Sequence, residues 1–170
     1  MRTNLLGAAA LMRAASQHMT EGRPEVKTDG DWTSQPRDIV VLGSVVGRHV
    51  SPFSSMYGAT KAFVSQFAAC IAVELRSCGV DVCAVHPSPV ASNFYDKAHK
   101  LDALAFFQKF AVTPDQLPKE MLRPIGRIVW YDIGMVAIAF RNLLKLFDYG
   151  FFATLISWTA HTMGDYKKNV

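Results

Sequence analysis

The stretch SSMYGATKAF, residues 54 to 63, sets a tyrosine four places before a lysine. On a helix, positions i and i+4 share one face, so Tyr57 and Lys61 would point into the same space. A free phenol ionises near pH ~10, too high for a proton-transfer group at neutral pH, where the best such groups have pKa values close to the working pH. A lysine ammonium one turn away favours the phenolate, and so does the positive end of the helix dipole acting on a first-turn residue. Ser44, at the end of a neighbouring strand, would hydrogen-bond the oxygen of a carbonyl or alcohol and steady the charge developing there. Together these groups suit proton transfer coupled to hydride transfer at a carbon bearing oxygen.

The elements that must hold those groups follow from the pattern around them. DIVVLGS (38–44) is a short apolar run rich in β-branched residues and ended by glycine and serine, which predicts a fully buried strand. A helical pattern runs from about Met56 to Cys78, with Ala62, Phe63, Phe67, Ile71 and Leu75 along one side and Gly79 as its stop. VDVCAVHP (80–87) is a second buried-strand pattern closed by proline. Strand, long helix and strand make a βαβ unit, with parallel strands and a right-handed crossover. Open parallel sheets bind ligands beyond the carboxyl ends of their strands. Ser44, the segment HPSPVASNF (86–94), Tyr57 and Lys61 all fall at that edge.

This ordered set resembles the short-chain dehydrogenase/reductase family, whose site is a serine, then Tyr-x-x-x-Lys about a dozen residues on, with an asparagine on the preceding helix. Here the serine is Ser44, YGATK supplies Tyr57 and Lys61, and NLLGAAAL resembles the asparagine helix, with Asn4 in that place. The resemblance implies that Tyr57 is the acid/base and that Lys61 lowers its pKa and holds the nicotinamide ribose. It further implies that Ser44 orients substrate and Asn4 supports a proton-relay water. In HPSPVASNF, Pro87 matches the family, Ser88 replaces its glycine, Val90 would face the nicotinamide carboxamide and Ser92 takes the place of its threonine. The implied cofactor is NADP or NAD, with NADP favoured. The implied fold class is α/β, the second half of a Rossmann-like doubly wound parallel sheet with a helical C-terminal extension. We divide the chain at residues 1–132, containing the active-site motif, and 133–170, the hydrophobic extension.

By residue pattern alone, the N-terminal MRTNLLGAAALMRAASQHMTEGR reads equally as an amphipathic targeting peptide and as a mature helix. The resemblance favours the helix. EGRPEVKTDGDWTSQPRD (21–38), with its prolines, glycines and acidic residues, predicts an exposed loop. The family's glycine-rich dinucleotide turn, where a pyrophosphate meets a helix N-terminus, has no counterpart before Met1. Met1 is therefore expected to be either an internal methionine of a longer protein or the start of a partial copy that binds NAD(P) poorly.

The last third is less family-like. Residues 96–127 stand where the family places its substrate lid, followed by a helix whose start TPDQ signals. Leu104, Phe106, Phe107 and Phe110 either face an apolar substrate or pack a core. RIVWYDIG (127–134) resembles a last strand. Beyond it the chain is hydrophobic, but its uncharged run is only 16 residues, Tyr149 to Gly164. That is short of the ~20 needed to span a bilayer, so contact with a membrane surface through residues 133–164, or with a partner, is the expectation.

Composition bounds the rest. At 170 residues, 50% hydrophobic and 19% charged, the chain has material for one cored domain. A net charge of +4 arises from scattered lysines and arginines, which argues against nucleic acid as a partner. Cys70, Cys78 and Cys83 form no CxxC pair and read as reduced thiols in a cytosolic compartment. His86 reads as a strand-end histidine, with no second histidine at metal spacing, so no metal site is expected. The function reached is an NAD(P)-dependent oxidoreductase acting on a small apolar hydroxy or keto substrate, lipid- or steroid-like. Such a chain is cytoplasmic and associated with the endoplasmic reticulum membrane, as some lipid and steroid reductases of the family are membrane-bound. It pairs as a homodimer through the helices at 4–18 and 56–78. The alternative is a catalytically silent chain acting through dimerisation or membrane-surface binding.

Overall fold

A computed structural model of the chain describes residues 3–21, 37–95 and 101–169. Most of the loop expected at 21–38 lies outside the described residues. A π-helical turn, Thr3–Gly7, runs into α1, Ala8–Thr20. Arg37, the first residue of β1 (Arg37–Leu42), ties the two together by donating to the last-turn carbonyls of His18 and Met19. A 3-10 turn, Val45–Arg48, leads to α2, Ser55–Leu75. A second 3-10 turn, Arg76–Cys78, ends at Gly79, whose left-handed φ of 68° stops the helix as a glycine permits.

β2, Val80–Pro87, pairs in parallel with β1 on one side and on the other with β3, Trp130–Ile133, giving the order β1-β2-β3. The fold is thus a partial Rossmann-like α/β sheet with a helical extension. Being central, β2 is covered on both faces, which is why its sequence is apolar without alternation. Val80, Val82 and Ala84 meet Met12, Val64, Ala68 and Ile71 from α1 and α2, while Cys83 and Val85 meet Ile133 on the opposite face.

Two expectations need correcting. β1 is not fully buried: Ile39 and Val41 enter the core, but Leu42 is 46% exposed. Only one of its edges is paired among the described residues, and its second face is only partly covered. Of the side expected to be buried on α2, Ile71 and Leu75 are buried and Phe67 packs against the edge of the core, but Phe63 is exposed and the rest of the buried line runs through Val64, Ala68 and Ala72. Two alanines on this line let the helix approach the sheet closely, so the bulkier Phe63 and Phe67 are shifted to the flank, where they stack at 5.7 Å.

After β2 the chain forms α3, Asp102–Gln108, and α4, Leu117–Leu122, the helix that TPDQ announces. β3 ends at Ile133, one residue beyond the division placed at 132, and is followed by α5, Met135–Leu146, α6, Tyr149–Thr159, and α7, Gly164–Asn169. No helix among the described residues is long and apolar enough to cross a membrane. Cys70, Cys78 and Cys83 form no disulfide.

Candidate active site

Glycines bring the serine to the tyrosine. Gly43 extends the ladder by one bond, its N–H donating to the Val85 carbonyl at 2.8 Å, and the chain then turns onto α2. A Cβ on Gly47 would stand 2.7 Å from the backbone of Lys61 and Ala62, and one on Gly58 would stand 3.2 Å from the Val46 carbonyl. Turn and helix therefore lie almost backbone to backbone, a closeness that only glycine allows. Ser44, buried, caps that turn by accepting the Val46 N–H at 3.3 Å. The same hydroxyl interacts with the phenol of Tyr57, the third residue of α2. Sequence reasoning passed over both glycines, although a glycine inside a helix-forming YGATK was a visible anomaly.

The electrostatics differ from the expectation drawn at Tyr57. Burial dominates and holds the phenol above its ordinary value of 10.0, and the interaction with Ser44 offsets this only in part. The lysine is not placed to prevent it. The Lys61 ammonium donates to the Leu42 carbonyl at 2.9 Å and stands 5.8 Å from the centroid of the Tyr57 ring. Burial likewise lowers the Lys61 pKa. In this structure Tyr57 is a protonated phenol, the acid form of the pair.

Two cavities border these residues. An apolar pocket of about 450 Å³ holds Ser44 and Tyr57 together with Val46, Met56, Leu101 and Leu104. A groove of about 760 Å³ lies between α1 and the unpaired side of β1, with Lys61 at its border. An ammonium carries three donors, and Lys61 has used one on Leu42, so two remain for the hydroxyls of a ribose. The nicotinamide end of a dinucleotide thus has fitting partners here.

The other expected residues fall as follows. Asn4 sits in the π-helical turn, and its side chain lies outside the described residues. Pro87 ends β2, Val90 bridges in parallel to Val112, and Ser92 is exposed just beyond, all on one strand end. Ser88, where the resemblance expects glycine, has a structural task. Its Oγ accepts the Ala137 N–H at 3.0 Å and so caps α5, whose own N-cap, Gly134, has no side chain. A Cβ at Gly134 would meet that oxygen at 2.6 Å. Of the lid candidates, Leu104 lines the pocket. Phe107 instead turns edge-on to Phe140 of α5 at 5.5 Å, while Phe106 and Phe110 are exposed and pack on each other. A seven-residue helix has only one face to give, and Leu104 turns that face to the pocket.

Behind the site lies a buried polar cluster. The Ser65 hydroxyl donates to the Lys61 carbonyl at 2.8 Å and accepts from His86 Nε2 at 2.9 Å. Burial, and after it the Arg48 charge, push the His86 pKa down to about 4, so the imidazole is neutral. Asp132 receives Arg48 at 3.2 Å and Arg141 at 3.6 Å, and burial still raises its carboxyl above the usual range. Arg48, which closes the turn begun at Ser44, is pinned by this pair and by stacking on Trp130 at 4.7 Å. No group of three His, Cys, Asp or Glu side chains among the described residues is arranged to hold a metal ion.

Residues 1–102 match the family model described as short chain dehydrogenase. The chain is 28% identical over 131 residues to dehydrogenase/reductase SDR family member 7B of Xenopus laevis, covering 74% of this chain and 37% of that protein. It is 27% identical over 134 residues to retinol dehydrogenase 8 of Bos taurus, covering 78% of this chain and 38% of the relative. It therefore spans well under half the length of these curated relatives. A short chain dehydrogenase from Burkholderia cenocepacia J2315, solved in complex with NADP, superposes with a TM-score of 0.67 at 17% identity, over 91% of this chain and 56% of that one. At that identity the likeness is one of fold. The chain belongs to the short chain dehydrogenase family.

Proposed function

We propose that this short chain dehydrogenase chain carries the catalytic half of an NAD(P)-dependent oxidoreductase that interconverts an apolar ketone and its secondary alcohol. The observation that carries the reading is the meeting of Ser44, Tyr57 and Lys61 at one strand end, with an apolar pocket on the tyrosine side and a groove on the lysine side. When bound, a reduced nicotinamide supplies the hydride to the carbonyl carbon. The protein's own part is to place the carbonyl and to complete the alcohol. Ser44 donates to the carbonyl oxygen, and Tyr57, held protonated by burial, gives its proton as that oxygen becomes an alkoxide. Lys61 holds the ribose hydroxyls, with Pro87, Val90 and Ser92 along the nicotinamide edge, and Asn4 supports the water that reprotonates the tyrosine. The mainly apolar pocket lining favours a lipid- or steroid-like substrate, and the NADP complex of the Burkholderia neighbour favours NADP as cofactor.

The test is NADPH binding by fluorescence enhancement and NADPH oxidation with apolar ketones, on the 170-residue chain and on any longer polypeptide containing it. Loss of turnover in Tyr57→Phe, with ribose binding weakened in Lys61→Ala, supports the reading. A folded chain and a longer form that both give neither signal leave the silent alternative.

A second reading, peripheral membrane contact, rests on α6. Phe151, Leu155 and Trp158 share one face of that helix and all three are exposed, Trp158 by 72%. Leu146 and Lys145, at the end of α5, are exposed as well, and Tyr149 is exposed on the other side of α6. Aromatic and apolar side chains beside lysine suit a headgroup boundary, in keeping with association at the endoplasmic reticulum surface. Vesicle flotation lost in Trp158→Ser supports it, and flotation unchanged by that substitution and by Phe151→Ser removes it. Leu11 on α1 and Phe63 and Val73 on α2 are likewise exposed and fit a homodimer paired through those helices.

A further inference from the structure

The wall of the apolar pocket formed by Leu101 and Leu104 belongs to the start of α3, and that start has no cap of its own. Leu101 occupies the N-cap position with extended backbone and no acceptor on its side chain. The acceptors come instead from α7. Asp165 Oδ1 accepts the Asp102 N–H at 2.6 Å and Oδ2 accepts the Ala103 N–H at 3.0 Å, across 63 and 62 positions of sequence. Asp165 is only 7% exposed, so its charge is held where these amides meet it. Lys168, one turn on, donates to both carboxylate oxygens of Asp102, at 2.7 and 2.8 Å.

The same short helix reaches a second wall of the pocket. Tyr166 packs edge-on to Phe53 at 6.3 Å. Phe53 lines the pocket and, among the described residues, is the one non-glycine with φ in the left-handed region, at 62°. A bulky residue in that region persists only where its surroundings hold it. Gly164 lies against the Lys168–Asp102 pair: a Cβ there would stand 2.8 Å from the Asp102 carboxylate, the end of a side chain that can turn aside.

We propose that α7 is a clasp that holds α3 and the Phe53 turn together over the Tyr57 pocket, with Asp165 as its positioning residue. The size of the pocket, and so the affinity for an apolar substrate, then depends on a helix that carries none of the reacting groups. The proposal rests on the reading of this pocket as the substrate site. A seven-residue helix is too short to persist on its own propensity, so α3 stands on what it is docked to. Among the described residues its attachments include Phe107 against Phe140, the Asp165 cap and the Lys168–Asp102 pair. With the cap gone, α3 pivots about the phenylalanine contact and withdraws Leu101 and Leu104. The exposed Lys168–Asp102 pair is secondary, since solvent-exposed ion pairs contribute little.

The test has two readouts on the same chain. Amide hydrogen exchange of α3 should accelerate tenfold or more in Asp165→Ala, with α2 and β2 protection unchanged. Unaltered α3 exchange overturns the clasp. Calorimetric binding of 2-undecanone should weaken about tenfold in Asp165→Ala and stay within twofold in Lys168→Ala. Affinity equal to the unsubstituted chain's, in a variant whose α3 has loosened, also overturns it. Should Asp165→Ala lose protection throughout, Asp165→Asn, which keeps one accepting oxygen, takes its place in both measurements. If the unsubstituted chain takes up no ketone, the substrate reading is what fails, and the exchange comparison alone decides whether α7 holds α3.

Discussion

The corner around Ser44, Tyr57 and Lys61 and the wall formed by α3 and α7 face the same pocket but are held by different physics. The corner is fixed by backbone close packing: glycines at 43, 47 and 58 let β1, the following turn and α2 meet at contact distance, over a core whose central strand is buried. The wall is fixed by a few polar contacts between short helices, and its aromatic side chains are largely exposed. Close-packed backbone admits little displacement, whereas a capped seven-residue helix gives way when one side chain is lost. Under the proposed function, the groups that would move a proton stand on the rigid part, and the fit of the substrate is left to a part that can change.

The largest effect expected in breaking this comparison is at the corner. Tyr57→Phe removes only a hydroxyl, so thermal stability should stay close to that of the unsubstituted chain. NADPH oxidation by the active polypeptide should fall by about 10²–10⁴, the range that general acid catalysis commonly contributes. Rates that survive this substitution would place the proton donor elsewhere. Next comes the polar cluster beneath the corner. The folded chain keeps His86 neutral to about pH 4, while in the unfolded chain the imidazole takes up a proton near its ordinary 6.5. Between those values the unfolded state binds the additional proton, so stability is full above the upper value and drains as pH falls toward the lower. The slope is about 1.4 kcal/mol per pH unit and the total about 3 kcal/mol at most. Urea midpoints between pH 7 and 4.5 should show this loss, and His86→Gln should flatten it.

How much of this was legible in the sequence follows the same division. The strands, the long helix, its glycine stop and the gathering of Ser44, Tyr57 and Lys61 were legible because each rests on local pattern: apolar runs, i,i+4 spacing and strand ends. The depressed phenol expected at Tyr57 was not found, because burial and the Leu42 carbonyl that occupies Lys61 are tertiary facts. The same holds for Ser88 capping α5 and Asp165 capping α3, since in each case the acceptor comes from a distant segment, to a helix whose own N-cap residue has none. Phe63 was misplaced, and the direction of the lid phenylalanines was left open, for a related reason. Periodicity tells which residues share a face, but not whether a neighbour can fit against it.

Two glycines that lie against a neighbouring segment give the finest test, because the groups they approach differ in kind. Gly47→Ala drives a methyl to 2.7 Å from the backbone of α2, which has no room to retreat, so overpacking should cost about 1–3 kcal/mol by urea unfolding. Gly164→Ala brings a methyl equally near, at 2.8 Å, but to the carboxylate end of Asp102, a side chain that can rotate. Gly164 opens α7, so the preference for alanine over glycine, about 0.5–1 kcal/mol in a helix interior, acts there only in part. Loss of the Lys168 contact and gain of helix propensity then oppose each other, leaving a net change within about 0.5 kcal/mol. A cost at Gly164 as large as that at Gly47 would mean that the Asp102 carboxylate is fixed as firmly as the backbone of α2, and that the wall shares the rigidity of the corner.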